Sequence, residues 1–142
     1  MNLAIGSDHA GFELKQELIA YLKSKNIPTD DKGCYSLERA DYSDYGHAVA
    51  TAVVNKEVTF GILMCGSGNG INMTANKHKG IRAALCWNSE ISALARQHND
   101  ANILVLPARY ITVEEAKKCV DVFLTEQFEG GRHLDRVKKI DC

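Results

Sequence analysis

Apolar residues along this chain alternate between two patterns: short continuous runs, and a recurrence every three to four residues. Leu3–Ile5 is a short run closed by Gly6-Ser7-Asp8-His9-Ala10-Gly11. Leu14, Leu18 and Leu22, with Ile19 beside them, then recur at helical spacing to about Lys25. Pro28–Asp31 reads as a weak second strand turned at Gly33, and residues 34–44 are polar and irregular. Tyr45, Val49, Ala52 and Val53 mark a second amphipathic helix. Phe60–Met64 is a near-continuous apolar run, the pattern of a strand covered on both faces. It ends in Cys65-Gly66-Ser67-Gly68-Asn69-Gly70, and a helix opens near Ile71. Ile81–Cys86 is the fourth strand; Ser89 caps a helix to about Gln97; Asn102–Leu106 is the fifth strand, stopped by Pro107. Thr112 and Glu115 form a capping box for a helix whose buried stripe is Val113, Ala116, Val120, Phe123 and Leu124. Gly130-Gly131 breaks that helix ahead of a basic tail.

Strand and helix therefore alternate five times, with connections too short for a second domain. Such alternation predicts one doubly wound α/β domain over residues 1–142, with a five-stranded parallel sheet between helices. Ligands in that architecture bind outside the carboxyl ends of the strands. Seventeen Lys and Arg against eighteen Asp and Glu leave a net charge of −1, which argues against nucleic acid or a membrane surface as partner. The longest apolar runs are far short of the ~20 residues of a spanning helix, and the amino end lacks the pattern of a signal peptide. Five cysteines, an odd number without a C-x-x-C pair, read as reduced thiols and place the protein in the cytoplasm.

Chemistry concentrates just after the strands. Three glycines in the five residues 66–70 let backbone amides converge on an anion between a buried strand and a helix. Familiar motifs are excluded by direct reading. The dinucleotide fingerprint needs a glycine where Ile71 stands, and a P-loop counted from Gly6 and Gly11 meets Phe12 and Glu13 in place of Lys and Ser/Thr. A nucleophile elbow around Ser67 needs glycines at Cys65 and Asn69, and a cysteine phosphatase loop needs arginine at Ile71. What survives is an anion loop led by a thiol, which such a setting favours as thiolate, whether nucleophile or base. Cys34, Cys86, Cys119 and Cys142 read instead as small buried hydrophobes. The five histidines show no metal-ligand spacing, so no metal is expected. His47 and His78 read as surface residues, whereas His9 and His98 are candidates for acid/base work or anion contact. Arg132 and Arg136 share a face if the tail is helical, and with Arg109 they form a set of cations suited to phosphate. His98 precedes a strand rather than following one, so it fits the loop rim poorly and points to a neighbouring subunit's site.

Six segments in order make the chain resemble the type B ribose-5-phosphate isomerases and the related galactose-6-phosphate isomerase subunits. They are Gly6–Phe12, Asp41-Tyr42, Cys65–Ile71, Ala75-Asn76-Lys77, Arg96–Asp100 and Glu129–His133. The resemblance implies a Rossmann-like three-layer sandwich working as a homodimer or a dimer of dimers, with residues 129–142 as an arm to the partner. It implies Cys65 as the base that moves a proton between C2 and C1 of a sugar phosphate. Some members lack that cysteine and use glutamate at the position of Ile71, so this chain matches the cysteine subgroup. Ser67 would handle a hydroxyl proton and His98 would assist ring opening. Asp8, Asn99 and Tyr42 would contact the sugar, the amides of Gly66, Gly68, Asn69 and Gly70 would hold the oxyanion, and His9, Arg109, Arg132 and Arg136 would hold the phosphate. No cofactor is implied. The alternatives are a six-carbon phosphosugar substrate (galactose 6-phosphate or allose 6-phosphate), a noncatalytic sugar-phosphate sensor, and a hydrolase using Cys65 as nucleophile.

Overall fold

A computed structural model describes residues 1–142. The strands are β1 (Leu3–Ser7), β2 (Thr29–Asp31), β3 (Phe60–Cys65), β4 (Ala83–Leu85) and β5 (Ile103–Pro107). The helices are α1 (Phe12–Ser24), α2 (Tyr42–Val54), α3 (Asn69–Ala75), α4 (Ser89–Asn99), α5 (Val113–Thr125) and α6 (Arg132–Val137). A single 3₁₀ turn, His9–Gly11, precedes α1. All strand pairs are parallel, in the order β2-β1-β3-β5-β4. The chain thus has the doubly wound architecture that its pattern predicts. No helix is long and apolar enough to cross a membrane.

The central strands are buried except at Phe60, which opens β3 half-buried, because successive side chains enter opposite cores. Leu3, Ile5, Ile62, Met64, Leu104 and Leu106 meet Leu14, Leu18 and Leu22 of α1, Ala95 of α4, and Val120 and Phe123 of α5. Ala4, Leu63, Cys65, Ile103 and Val105 meet Val49 and Val53 of α2 and Ile71 and Ala75 of α3. Cys65 therefore points to the α2/α3 face. Burial pushes the thiols of Cys86 and Cys119 up to about 12, which fits their reading as core residues. Cys142 is exposed and corrects the expectation that it is buried, since the last residues lie beyond α6 with nothing packed over them.

Element ends moved where polar residues carry the structure. α2 opens at Tyr42 and α3 at Asn69, ahead of their first apolar residues. β4 is shorter than Ile81–Cys86, because the Ile81 amide donates to the His78 carbonyl and the Arg82 amide to Asn102 Oδ1. The N-cap of α4 is Asn88, not Ser89: Asn88 Oδ1 accepts from the Ile91 amide at 3.0 Å. α4 then runs to Asn99, and Pro107 is the last residue of β5 rather than its stop. Only half of the capping box forms. Thr112 Oγ1 accepts from the Glu115 amide at 3.1 Å, but the Glu115 carboxylate turns away to accept from the Ser89 amide at 3.3 Å.

The largest wholly buried side chain is charged. Lys15 Nζ lies 2.6 and 2.7 Å from the two Asp31 carboxylate oxygens, and Asp31 Oδ1 also accepts from the Gly33 amide. Lys15 has no exposure whereas Asp31 retains 28%. Removing the carboxylate strands a buried ammonium, while removing the ammonium leaves a carboxylate still touching water. Asp31→Ala should therefore cost about 3 kcal/mol in urea unfolding, at the low end for breaking a buried pair. Lys15→Met should cost about 1 kcal/mol or less. Equal costs would contradict this asymmetry.

Candidate active site

The register assembles one rim from three strands. Ser7 pairs with Met64 and Cys65 with Pro107, so Asp8, Gly66 and Ala108 follow side by side. The chain leaves β1 for β2 on one side while β3 lies on the other, and this reversal opens a crevice above β1 and β3. Tight packing holds the rim together: a Cβ on Gly11 would sit 2.8 Å from the Met64 carbonyl oxygen. Asp8 is buried and caps the 3₁₀ turn, its Oδ1 accepting from the Ala10 and Gly11 amides at 2.9 and 3.2 Å. One Asp8 oxygen is thus committed to structure. His9 Nδ1 lies 3.2 Å from the Ala40 amide and 3.3 Å from the Ala40 carbonyl, which ties the ring to the loop before α2 in either tautomer.

Cys65 is 4% exposed, at the point where β3 gives way to the glycine loop. The next three amides, of Gly66, Ser67 and Gly68, donate to no group in the chain. Ser67 Oγ accepts from the Asn69 amide at 3.2 Å, which leaves the hydroxyl free to donate outward. Gly68 has φ +82°, and a Cβ there would run into the Leu85 side chain. Gly66 and Gly70 are small for another reason. The Arg109 guanidinium lies over Gly66, with Nη1 3.1 Å from where a Cβ would be, and the Tyr42 ring lies 2.5 Å from the same point on Gly70. The structure thus brings together Asp8, His9, Tyr42, Cys65, Gly66, Ser67, Gly68, Asn69, Gly70 and Arg109. These residues place unpaired amides, a hydroxyl and a guanidinium on the loop that follows Cys65.

His98, Asn99, Arg132 and Arg136 lie elsewhere. α4 runs back across the sheet, and its end leads to Asn102, whose carbonyl accepts from the Gly61 amide at the start of β3. Four residue steps along β3 take Gly61 to Cys65, a rise of about 13 Å. His98 stacks on His133 with ring centroids 4.4 Å apart and planes within 10°. Glu129 Oε1 is 3.5 Å from His133 Nε2 and 3.8 Å from His98 Nε2, and the Glu129 amide donates to the Gln97 carbonyl. Glu129 and His133 escaped the sequence reading as site residues; their spacing of four across Gly130-Gly131 was the signal. Three ligand-type side chains meet here within 4.8 Å. Arg132 and Arg136 share the exposed side of α6, as expected for a helical tail. The largest cavity, about 510 Å³, opens on this second rim and includes Asn99, Arg82, Lys77 and Ile140. None of the five cavities includes Cys65. His47 and His78, read as surface residues, pair with each other at 2.7 Å, and burial then His47 lower the proton affinity of His78.

Comparison with known proteins matches residues 3–140 to the family described as Ribose/Galactose Isomerase. The chain is 48% identical to ribose-5-phosphate isomerase B of Escherichia coli over 97% of its length and 93% of that protein. It superposes on a ribose 5-phosphate isomerase from Thermotoga maritima with a TM-score of 0.97 at 51% identity, covering 99% of this chain and 97% of that one. A Mycoplasma genitalium ribose-5-phosphate isomerase B with bound ribulose-5-phosphate gives a TM-score of 0.93 at 45% identity, covering 98% and 93%.

Burial first, then His98 and Arg132, lowers the proton affinity of His133 from its ordinary value. Because folding disfavours the protonated ring, the unfolded chain takes up that proton first. The α4–α6 packing is therefore fully stable above the ordinary imidazole range and weakens as pH falls through it. An NMR pH series should place the His133 midpoint below 6.5, with loss of amide protection in α6 on further acidification. A midpoint at or above that value would contradict the packing described.

Proposed function

The chain belongs to the ribose/galactose isomerase family, and from that premise we propose that it interconverts ribose 5-phosphate and ribulose 5-phosphate through an enediolate. The observation that carries this reading is the buried Cys65 thiol followed in the chain by three unpaired amides, with Arg109 over the first of these residues. Isomerisation removes a weakly acidic proton from C2 beside the C1 aldehyde. A thiolate at Cys65 takes that proton, worth about 10²–10⁴-fold when the base is held in reach. The negative charge moves onto O1, where the amides of Gly66, Ser67 and Gly68 donate without rearranging; one such donor is worth roughly 2.7–4 kcal/mol in other enzymes. Ser67 passes the hydroxyl proton between O2 and O1, and the Cys65 thiol returns its proton to C1. Every step is a proton transfer.

Ribose 5-phosphate is mostly a closed ring, so an acid/base group must first open it. His98 takes that role from a second copy of the chain, because in one chain it lies on the rim opposite Cys65. The working unit is accordingly a homodimer, and two homodimers can associate further. Asn99 arrives with His98, and the tail with Arg132 and Arg136 joins His9 and Arg109 around the phosphate. The amino-end rim, with Asn99 in its large cavity, is the face that receives the partner's glycine loop. Asp8 and Tyr42 border the sugar. Five free thiols suit a reducing compartment such as the cytoplasm.

The test is conversion of ribose 5-phosphate in D₂O followed by NMR, with Cys65→Ala alongside. Wild type should form ribulose 5-phosphate and exchange solvent deuterium into C1, while folded Cys65→Ala should lose at least about 100-fold in rate. Undiminished turnover by Cys65→Ala would remove the thiol as base. A folded wild type inert on this sugar would overturn the substrate.

A further inference from the structure

The turn from α4 to β5 is built more rigidly than a helix end requires. Asp100 occupies it with φ +48°, a left-handed conformation that glycine would adopt without strain, and the following amide, of Ala101, already closes the helix on the Ala95 carbonyl at 3.0 Å. Two arginines from different elements nevertheless converge there. Arg96, on α4, is 8% exposed, with its guanidinium over the Phe60 ring at 4.8 Å and the Phe123 ring at 5.8 Å. Its Nη1 donates to Asp100 Oδ1 at 2.9 Å and to the Ala101 carbonyl at 2.6 Å. Arg82, just before β4, donates from Nη2 to Asp100 Oδ2 at 3.0 Å. Its Nε donates to the Asn99 and Asp100 carbonyls at 3.2 and 2.9 Å. Both carboxylate oxygens and three successive carbonyls are thus held by planar forks that lysine cannot reproduce.

We infer that Asp100 and Arg82 are positioning residues for the isomerase: they lock the end of α4 so that His98 and Asn99 enter the partner's site at a fixed place. This rests on the isomerase reading, because only a substrate bound at the second subunit needs those two side chains held so closely. The Asp100 carboxylate and the Arg82 Nε and Nη2 are committed to the turn itself. Their effect passes through the backbone of residues 99–101, one residue from His98. Arg96 anchors the lock in the core, and Arg82 ties it to the sheet.

Asp100→Asn leaves the buried Arg96 guanidinium without its counter-charge and can unfold the chain. Arg82→Gln, whose native side chain is 22% exposed, is therefore the principal variant, with Arg82→Lys beside it. In the full-length protein, kcat for ribose 5-phosphate should fall about tenfold or more in Arg82→Gln. KM should hold within about twofold, the dimer should persist, and the thermal midpoint should stay within about 3 °C. Arg82→Lys should recover the midpoint without recovering kcat. In a His98→Asn background, Arg82→Gln should add less than about twofold, since both act through one group. Unchanged kcat, a loss that multiplies in the His98→Asn background, or a loss matched by dissociation would overturn the inference. Wild type assayed in parallel separates failure of the isomerase reading from failure of this one. If wild type were inert, the His98 ring resonances would still report on the lock: shifted or broadened in Arg82→Gln if it holds, unchanged if it does not.

Discussion

Parallel pairing of β1, β3 and β5 is the constraint on which everything else in this molecule depends. Each strand must be followed by a helix that carries the chain back, so residues after strands gather on one rim and residues ending helices gather on the other. Asp8, Cys65 and Arg109 belong to the first class, whereas His98 and Asn99 belong to the second. No adjustment of loops within one chain brings the two together across a sheet whose central strands are five and six residues long. A chemistry needing both must recruit a second copy, and the homodimer proposed here follows from topology before any interface is considered.

Within that frame the packing explains the local details. Alternation along β3 sends Ile62 and Met64 to one core and Leu63 and Cys65 to the other, so the thiol lies under α2 and α3. The loop above it stays open because Gly66 and Gly70 surrender their side-chain space to Arg109 and Tyr42. The amides left unpaired there would be costly inside a core; at the rim they remain available to water or to substrate oxygens. On the opposite rim, charged side chains instead close on one another. Arg82 and Arg96 close on Asp100, and Glu129 lies between His98 and His133. One rim offers free donors, and the other carries side chains already tied to one another.

Much of this was legible in the residues. Near-continuous apolar runs are imposed by a sheet covered on both faces, so β1, β3, β4 and β5 were readable in order, whereas the polar β2 gave only a weak signal ahead of the turn at Gly33. Boundaries at polar residues were less so, because caps depend on which side chain happens to be free. Asn88 caps α4 through the Ile91 amide, and the Ser89 amide beside it is taken by Glu115 of a distant helix, a contact no local pattern encodes. The rim residues after strands were legible for the same topological reason that His98 stood out as anomalous. The stacking of His98 on His133 and the Asp100 lock were not, since they depend on where the tail and the residues before β4 come to rest.

The central claim is that each site is divided between two chains, and subunit complementation tests it most directly. Homodimers of Cys65→Ala and of His98→Asn, each weakly active or inactive alone, are mixed, allowed to exchange subunits, and assayed with ribose 5-phosphate. A shared site gives each hybrid dimer one intact copy, so an equal mixture should regain about a quarter of wild-type activity. Verified subunit exchange without any regain would place both residues in the same chain's site and contradict the account.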